Sequence, residues 1–265
     1  MTVDHSQNSL RVLCLADLHR LEYDRLAMLE QDRWLGALLA ETDPAVVLIA
    51  GDVFDEKSEA HPYRELARLF GPRPVIAVLG NHEFIGRTVE QVMNRYRLLY
   101  DPGTWNVHFL DIVGSHRVGG VEFFGNVLWY DGSMATVPGQ DLLDFAGRHW
   151  RDCEIREFDP VRECRRCVEA ITACTPGPGL TRVLCTHCVP HPALNAHMSK
   201  RSSLYNAFSG VSWLLERVKA DYAVCGHTHR PVHDVTLHGV RCWNVGSDYL
   251  PPFRHVALEV PSRGP

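Results

Sequence analysis

The chain alternates short apolar runs with longer amphipathic stretches, and this alternation limits its fold more than any other feature. The predicted strands of the first part are 10–16, 45–50 and 74–79, and the helices predicted to follow them are 31–40, 63–70 and 88–100. Repeated strand–helix units of this kind form parallel sheets with helices packed over them. The first part of the chain is therefore predicted to have an α/β structure.

The rest of the chain is richer in predicted strands. These strands are 107–110, 116–118, 121–129, 181–186, 222–225, 231–237, 240–245 and 255–260, and two helices are predicted at 161–174 and 204–219. The Pro-Gly-rich segment 175–179 is predicted to be a loop, since strands of the same character lie on both sides of it. A length of 265 residues suits one large domain or two small ones, and because 175–179 is predicted to be a loop and not a domain linker, a single domain over 1–265 is expected.

Polar residues directly follow five of the predicted strands. These residues are Asp17 and His19; Asp52; Asn81, His82 and Glu83; His187; and His227 and His229. In open α/β sheets, ligands bind beyond the carboxyl ends of the strands, so five strand ends could deliver these side chains to one place.

Seven of these side chains are suitable metal ligands: two carboxylates, one carboxamide and four imidazoles. This donor set suits Mn²⁺, Fe or Zn²⁺, and it is too large for one tetrahedral ion. Two ions that share a carboxylate would use all seven. Each motif alone has an ordinary explanation, such as a turn at Gly-Asp or a packed core histidine. The ordered set, with each member at a strand end, favours ligation.

The ordered blocks resemble the calcineurin-like metallophosphoesterase superfamily from about residue 10 to residue 246. They read Asp-x-His at 17–19, Gly-Asp at 51–52, Gly-Asn-His-Glu at 80–83, His at 187 and Gly-His-x-His at 226–229. The resemblance implies one metal held by Asp17, His19, Asp52 and His229. It implies a second metal held by Asp52, Asn81, His187 and His227. Asp52 would bridge the two ions, and His82 would lie beside the leaving group.

The resemblance also implies a fold and a reaction. The fold would be two packed mixed β-sheets flanked by helices, in four layers. A hydroxide bridging the two metals would attack phosphorus in line. His82 would donate a proton to the leaving oxygen, or instead orient Asn81 or the bridging water. Glu83 and Asp55 could orient ligand imidazoles, with a plain loop carboxylate as the equal alternative.

Details of the motifs separate the branches of this superfamily. Protein Ser/Thr phosphatases lack Gly-His-x-His, and the repair nucleases and class III cyclic-nucleotide phosphodiesterases usually have Asp where this chain has Glu83. A group of bacterial calcineurin-like proteins shares Gly-Asn-His-Glu-Phe at 80–84 and Gly-x-x-Leu-Trp at 125–129. Because Gly-His-x-His is common among diesterases, a phosphodiesterase is expected. The alternatives are a phosphomonoesterase, a nuclease and a binding scaffold that lacks catalysis.

Two irregular segments, 130–158 and 188–208, follow strands and are expected to cover the site as lids. In the second, Lys200 and Arg201 are either phosphate contacts or part of a solvated loop. Trp129 is predicted to be a core residue, with stacking on a nucleotide base as the alternative.

Composition limits the expected substrate class, the expected cellular compartment and the expected state of the cysteines. A net charge of -5 argues against a protein that coats nucleic acid, so a phosphorylated small molecule or nucleotide is favoured over a nucleic-acid end. No apolar run reaches the length of a membrane span, and the N-terminus lacks the basic region of a signal peptide, so a cytoplasmic protein is expected. The nine cysteines are scattered and odd in number, which favours free thiols over disulfides or a zinc site.

Overall fold

The computed structural model describes residues 9–20, 24–55, 58–135, 151–196, 206–249 and 251–262. Its strands are β1 (Ser9–Leu15), β2 (Val46–Ala50), β3 (Val75–Val78), β4 (Val107–Phe109), β5 (Ser115–Val118), β6 (Val121–Asn126), β7 (Thr181–Thr186), β8 (Tyr222–Cys225), β9 (Val232–Leu237), β10 (Val240–Asn244) and β11 (Val256–Pro261). Its α-helices are α1 (Arg25–Thr42), α2 (Pro62–Phe70), α3 (Val89–Leu99), α4 (Leu110–Val113) and α5 (Pro160–Ala173). None of these helices is long and apolar enough to cross a membrane.

The strands form two mixed sheets. The first has five strands in the order β11-β1-β2-β3-β4, in which only β11 is antiparallel to its neighbour. The second has six strands in the order β5-β6-β7-β8-β10-β9, with a parallel centre from β6 to β10 and antiparallel strands at both edges. Helices are inserted between the parallel strands of the first sheet, as βαβ crossovers require.

Alternate side chains on the central strands enter two different apolar clusters. One face of β1 and β2 contributes Cys14 and Leu48, which lie between the two sheets with Phe123 and Val183 of the second sheet. The other face contributes residues such as Leu15, which packs with the helices. Because both faces of the strands are covered, these strands are apolar without interruption, as the sequence shows. The predicted two-sheet sandwich flanked by helices is confirmed.

Side-chain hydrogen bonds cap the N-terminal ends of α1 and α3. The Asp24 carboxylate accepts hydrogen bonds from the backbone N–H groups of Leu26 and Ala27 at the start of α1. In α3, Thr88 and Gln91 exchange the two hydrogen bonds of a capping box. These caps satisfy backbone donors that have no partner inside the helix.

Two sequence predictions of secondary structure are wrong. The segment 204–219 is not one helix: within its described part, 206–219, a short 3₁₀ turn spans Leu214–Glu216, and Gly210 forms a β-bridge with Val189. A Cβ on Gly210 would overlap the Val189 backbone, so this glycine allows a close approach that ends any helix. The strand predicted at 121–129 ends at Asn126, whose side chain accepts a hydrogen bond from the Leu128 N–H in a turn.

Candidate metal centre

The seven candidate ligands lie in loops that leave the carboxyl ends of central strands. β1, β2 and β3 of the first sheet and β7 and β8 of the second end immediately before them. Five of the seven have positive φ values: Asp17 (55°), His19 (39°), Asp52 (49°), His227 (70°) and His229 (52°). Residues other than glycine rarely adopt this conformation, and it is concentrated at functional sites. β1, β2 and β8 therefore end in sharp turns that direct polar side chains toward the same place.

Glycines in the motifs make room for the ligands. A Cβ on Gly51, whose φ is 85°, would overlap the His187 imidazole from the opposite sheet. A Cβ on Gly80 would overlap the Asp52 carboxylate and backbone. Both glycines are therefore required for close packing of the loops, and Gly51 is also required for its positive φ.

Three ligand atoms converge in what we call the Asn81 half of the site (Asn81, His187 and His227). The Asn81 Oδ1 lies 2.9 Å from His187 Nε2 and 3.1 Å from His227 Nδ1, and these two nitrogens lie 3.2 Å apart. The Asp52 Oδ2 lies 3.4 Å from His187 Nε2. Four potential ligand atoms thus surround one small volume.

Backbone carbonyls orient both imidazoles of the Asn81 half. His187 Nδ1 lies 2.9 Å from the Ala50 carbonyl oxygen, and His227 Nε2 lies 3.0 Å from the Phe208 carbonyl oxygen. A carbonyl only accepts, so these nitrogens carry the protons, and the opposite ring nitrogens turn toward the site. Burial lowers the pKa of His227 to about 3 and keeps that imidazole neutral.

The Asn81 half requires a positive charge at its centre. A carboxamide oxygen, a carboxylate and two imidazole nitrogens repel one another unless a proton or metal ion lies between them. Burial is the largest single effect and lowers the pKa of His187, but the charge and hydrogen bond of Asp52, together with the charge of Asp17 and the Ala50 carbonyl, raise it to about 10. A divalent cation would meet the same requirement with more contacts.

The His19 half of the site (Asp17, His19 and His229) has its ligand atoms within 4.8 Å of one another. Asp17 is fixed, since its two oxygens accept hydrogen bonds from the backbone N–H groups of His227 at 3.1 Å and Ser247 at 3.0 Å. The imidazoles are not fixed in this way. Both nitrogens of His19 and the Nδ1 of His229 are buried and have no hydrogen-bond partner among the described residues.

His19 is enclosed on all sides. It is 0 % exposed, and burial lowers its pKa to about 3, so the ring is neutral and its lone pair is available. Tyr249, which is 49 % exposed, covers it with its ring centroid 4.4 Å from that of His19 and 4.9 Å from that of His229. A buried imidazole without partners is costly unless something binds it, and a metal ion is the natural partner.

Asp52 lies between the two halves. Its Oδ2 is 3.6 Å from His19 Nε2 and 3.4 Å from His187 Nε2, while its Oδ1 accepts a 3.0 Å hydrogen bond from the His82 N–H. Burial is the largest single effect and would raise the pKa of Asp52, but His187, His82 and His19 together outweigh it, and the pKa is held well below its ordinary value. The carboxylate can therefore contact an ion in each half. The donors fit two divalent cations that share Asp52.

His82 lies at the edge of both halves. Its ring stands 4.4 Å from that of His19, and its Nδ1 is 3.5 Å from Asp55 Oδ1. Burial lowers its pKa, but the charges of Asp52 and Asp55 outweigh this and raise it to about 9. Asp55 thus contacts His82 and none of the candidate ligand imidazoles.

Glu83 does not orient an imidazole either. Its Oε1 accepts hydrogen bonds from the N–H groups of Val53 (2.8 Å) and Phe54 (3.0 Å), and its Oε2 accepts one from Gly80 (2.8 Å). The carboxylate therefore ties the loop after β2 to the loop after β3. This loop-to-loop role was not among those expected from the sequence.

Sequence reasoning missed further residues around the ligands. Asp152 accepts a 2.8 Å hydrogen bond from Asn81 Nδ2, and the Ser247 backbone N–H after β10 donates to Asp17. The Tyr249 ring packs against two candidate ligand imidazoles, tilted against His19 and stacked on His229. The Asn-Val-Gly-Ser run at 244–247 follows a predicted strand, so the strand-end argument could have found Ser247. No motif or strand end in the sequence around Asp152 indicates its contact with Asn81.

The structure tests the predictions for Trp129 and the cysteines, but not those for Lys200 and Arg201. Trp129 is 1 % exposed and packs against Phe84 and Phe158, so the core interpretation holds and stacking on a base is excluded. Lys200 and Arg201 lie outside the described residues, as do 136–150 and 197–205 of the two expected lids. All nine cysteines are free thiols.

Comparisons with known proteins identify the family and the fold of the chain. The model of the calcineurin-like phosphoesterase family matches residues 10–231. A phosphopantetheinyl hydrolase from Mycobacterium tuberculosis has a similar structure, with a TM-score of 0.67, 18% identity, and coverage of 95% of this chain and 96% of that chain. A dimetal phosphatase from Danio rerio gives a TM-score of 0.56 at 12% identity, over 95% of this chain and 92% of that chain. No curated protein matches the chain. At these identities, the structural likeness establishes a shared fold.

Proposed function

Because the chain belongs to the calcineurin-like phosphoesterase family, a family of hydrolases, we propose that it hydrolyses phosphoesters with two divalent metal ions and prefers diesters. The observation that carries the proposal is the convergence of seven side chains on two adjoining volumes. One contains buried imidazole nitrogens without partners, and the other contains acceptor atoms that require a cation.

The proposed ligand sets follow the two halves of the site. One ion would be held by Asp17, His19, Asp52 and His229, and the other by Asp52, Asn81, His187 and His227. Two bound ions would supply activation of a water molecule and neutralisation of charge on the phosphate oxygens. Oxygen and imidazole donors favour Mn²⁺, with Fe or Zn²⁺ as alternatives.

His82 is the proposed proton donor to the leaving oxygen. Its backbone N–H is bonded to Asp52, which places the ring beside the proposed bridging carboxylate. The Asp55 carboxylate faces Nδ1, so Nε2 is the atom that would deliver the proton. The ring is 6 % exposed, so bulk water has little access to that transfer. A role in orienting Asn81 or the attacking water is the alternative.

A small phosphorylated molecule or nucleotide is the proposed substrate, and the two irregular segments are proposed to cover it. The preference for a diester rests on the Gly-His-x-His motif at 226–229. A monoesterase is the second candidate, since one structural neighbour is described as a dimetal phosphatase. We also propose that the protein acts in the cytoplasm.

The test compares turnover of bis-p-nitrophenyl phosphate and p-nitrophenyl phosphate by the Mn²⁺-loaded protein. His82→Ala is the active-site variant, and His108→Ala is the matched control, since both histidines are 6 % exposed. We expect faster cleavage of the diester, a loss of roughly 10²–10⁴-fold in His82→Ala, and activity retained in His108→Ala.

Other results would change the proposal in defined ways. Faster cleavage of the monoester would replace diesterase by phosphatase. Equal loss in both variants would show that His82→Ala acts through folding. If metal binds and neither substrate is cleaved, the result would favour a binding scaffold of the same fold.

A further inference from the structure

Asp152 is a buried carboxylate with two hydrogen-bond partners at the edge of the Asn81 half. It is 1 % exposed and lies in a 3₁₀ turn at Arg151–Glu154, far from Asn81 in the sequence. Its Oδ1 accepts a 2.8 Å hydrogen bond from Asn81 Nδ2, and its Oδ2 accepts a 2.9 Å hydrogen bond from the Tyr130 hydroxyl. Each carboxylate oxygen therefore has a specific donor, which compensates for its burial.

The contact with Asp152 decides which end of the Asn81 carboxamide faces the site. A carboxamide can rotate by about 180° and exchange its acceptor oxygen for its NH₂ group. Asp152 can only accept at the oxygen that faces Asn81, so the NH₂ group turns outward. The oxygen then points toward His187 Nε2 and His227 Nδ1. In the opposite orientation, the NH₂ hydrogens would point toward the position of a cation.

Tyr130 connects this contact to a second ligand. Its hydroxyl binds Asp152, and its ring packs edge to face against Phe208 with a centroid distance of 5.0 Å. The Phe208 carbonyl in turn lies 3.0 Å from His227 Nε2. Tyr130 is thus connected to two of the three side chains in the Asn81 half, to Asn81 through Asp152 and to His227 through Phe208.

We propose that Asp152 is a positioning residue that selects the metal-binding orientation of Asn81. This inference rests on the proposed function, since it assumes that Asn81 binds a metal ion. Asp152 would act only through Asn81 and would not contact the substrate. Tyr130 would hold Asp152 in place, so its removal should have a weaker effect in the same half of the site.

The test measures metal affinity and not turnover. Mn²⁺ binding is followed by titration calorimetry and by electron paramagnetic resonance, which distinguishes a coupled ion pair from a single ion. The variants are Asp152→Asn, which has nearly the same shape, and Tyr130→Phe. Glu154→Gln is the matched control, because Glu154 is an exposed carboxylate in the same 3₁₀ turn.

The expected result is selective loss of one ion. Asp152→Asn can donate to the Asn81 oxygen and favour the opposite orientation, so one of the two ions should bind roughly 10–100-fold more weakly. The other ion should bind as in the wild type, and the coupled signal should give way to that of a single ion. Tyr130→Phe should weaken the same ion by less, and Glu154→Gln should bind both ions normally.

Two results would overturn the proposed role of Asp152. Two ions bound with wild-type affinity by folded Asp152→Asn and Tyr130→Phe would overturn the proposal. Equal weakening of both ions would assign Asp152 a general structural role and would also overturn it. If Asp152→Asn does not fold, Tyr130→Phe decides between these outcomes. A wild-type protein that binds no pair of ions would refute the proposed function itself, which is a separate result.

Discussion

In the Asn81 half of the site, protein groups hold every candidate ligand: Asp152 holds Asn81, the Ala50 carbonyl holds His187 and the Phe208 carbonyl holds His227. In the His19 half, the carboxylate of Asp17 is the only candidate ligand held in this way by the residues that the structure describes, through two backbone N–H groups. The ring nitrogens of His19 have no hydrogen-bond partner in the described part of the chain.

This difference separates two ways of building a metal site. The Asn81 half is organised by hydrogen bonds that exist without metal, so metal binding would cost little further ordering. The His19 half contains buried polar atoms without hydrogen-bond partners among the described residues, each of which costs about 1–3 kcal/mol. Metal binding should therefore contribute more to the stability of the His19 half, and more to the geometry of its imidazoles.

The largest effect is expected where the two halves meet. Asp52→Asn keeps the shape of the shared ligand and its bond with the His82 N–H, but removes the charge that would bind both ions. We expect both ions to be lost together, with a loss of several kcal/mol of transition-state stabilisation, or about 10³-fold in kcat/KM. Metal analysis together with kinetics checks this. One ion retained at full affinity would show that the halves are independent.

Adding a diamagnetic ion such as Zn²⁺ should change the two halves unequally. An ion at 100 times its Kd stabilises a protein by about 2.7 kcal/mol, which thermal unfolding with and without chelator would detect. In NMR spectra, the carbonyl-bonded ring N–H protons of His187 and His227 should be protected from exchange before metal is added. The imidazole of His19 should change most on addition. Equal changes in all three rings would contradict the comparison.

A matched pair of alanine variants should separate the halves in the metal-free protein. His227→Ala removes the hydrogen bond between the His227 ring and the Phe208 carbonyl, whereas His19→Ala breaks no hydrogen bond to any residue that the structure describes. Both remove the same imidazole, so the cavity cost is similar. We expect the metal-free His227→Ala protein to be less stable than His19→Ala by about 1–3 kcal/mol in denaturant unfolding. Both should lose most of the stabilisation by metal. Equal metal-free stabilities would mean that the His227 hydrogen bond contributes nothing.

The sequence predicted the fold and the convergence of the candidate ligands because both follow from strand ends. Apolar runs locate the strands, and parallel pairing brings their carboxyl ends to one edge. It predicted α1 incompletely, as 31–40 instead of Arg25–Thr42, because the first turns expose Leu26 (79 %) and Leu29 (44 %) and so lack an amphipathic pattern. The prediction of a helix at 204–219 was wrong because Gly210 pairs with Val189, which is distant in the sequence, and this contact sets the backbone conformation there.

The residues around the ligands were harder to predict for a physical reason. Asp152 reaches Asn81 from a part of the chain without strand periodicity, and only tertiary packing brings them together. Glu83 was identified, but its partners are backbone N–H groups, which no sequence pattern displays. Side chains that orient ligands from distant loops are therefore found from the structure.

The smallest expected effect concerns the aromatic cover of the His19 half. The Tyr249 ring packs tilted against His19 and stacked on His229, and an aromatic contact of this kind contributes about 0.5–1.5 kcal/mol. Tyr249→Ala should therefore weaken the ion of the His19 half by about 2–10-fold and leave the ion of the Asn81 half unchanged. Tyr249→Phe, which keeps the ring, is the control and should bind both ions as the wild type does. Calorimetric titration of the three proteins checks this. If Tyr249→Phe were as weak as Tyr249→Ala, the hydroxyl and not the stacked ring would be responsible, and the two halves would differ less than their contacts indicate.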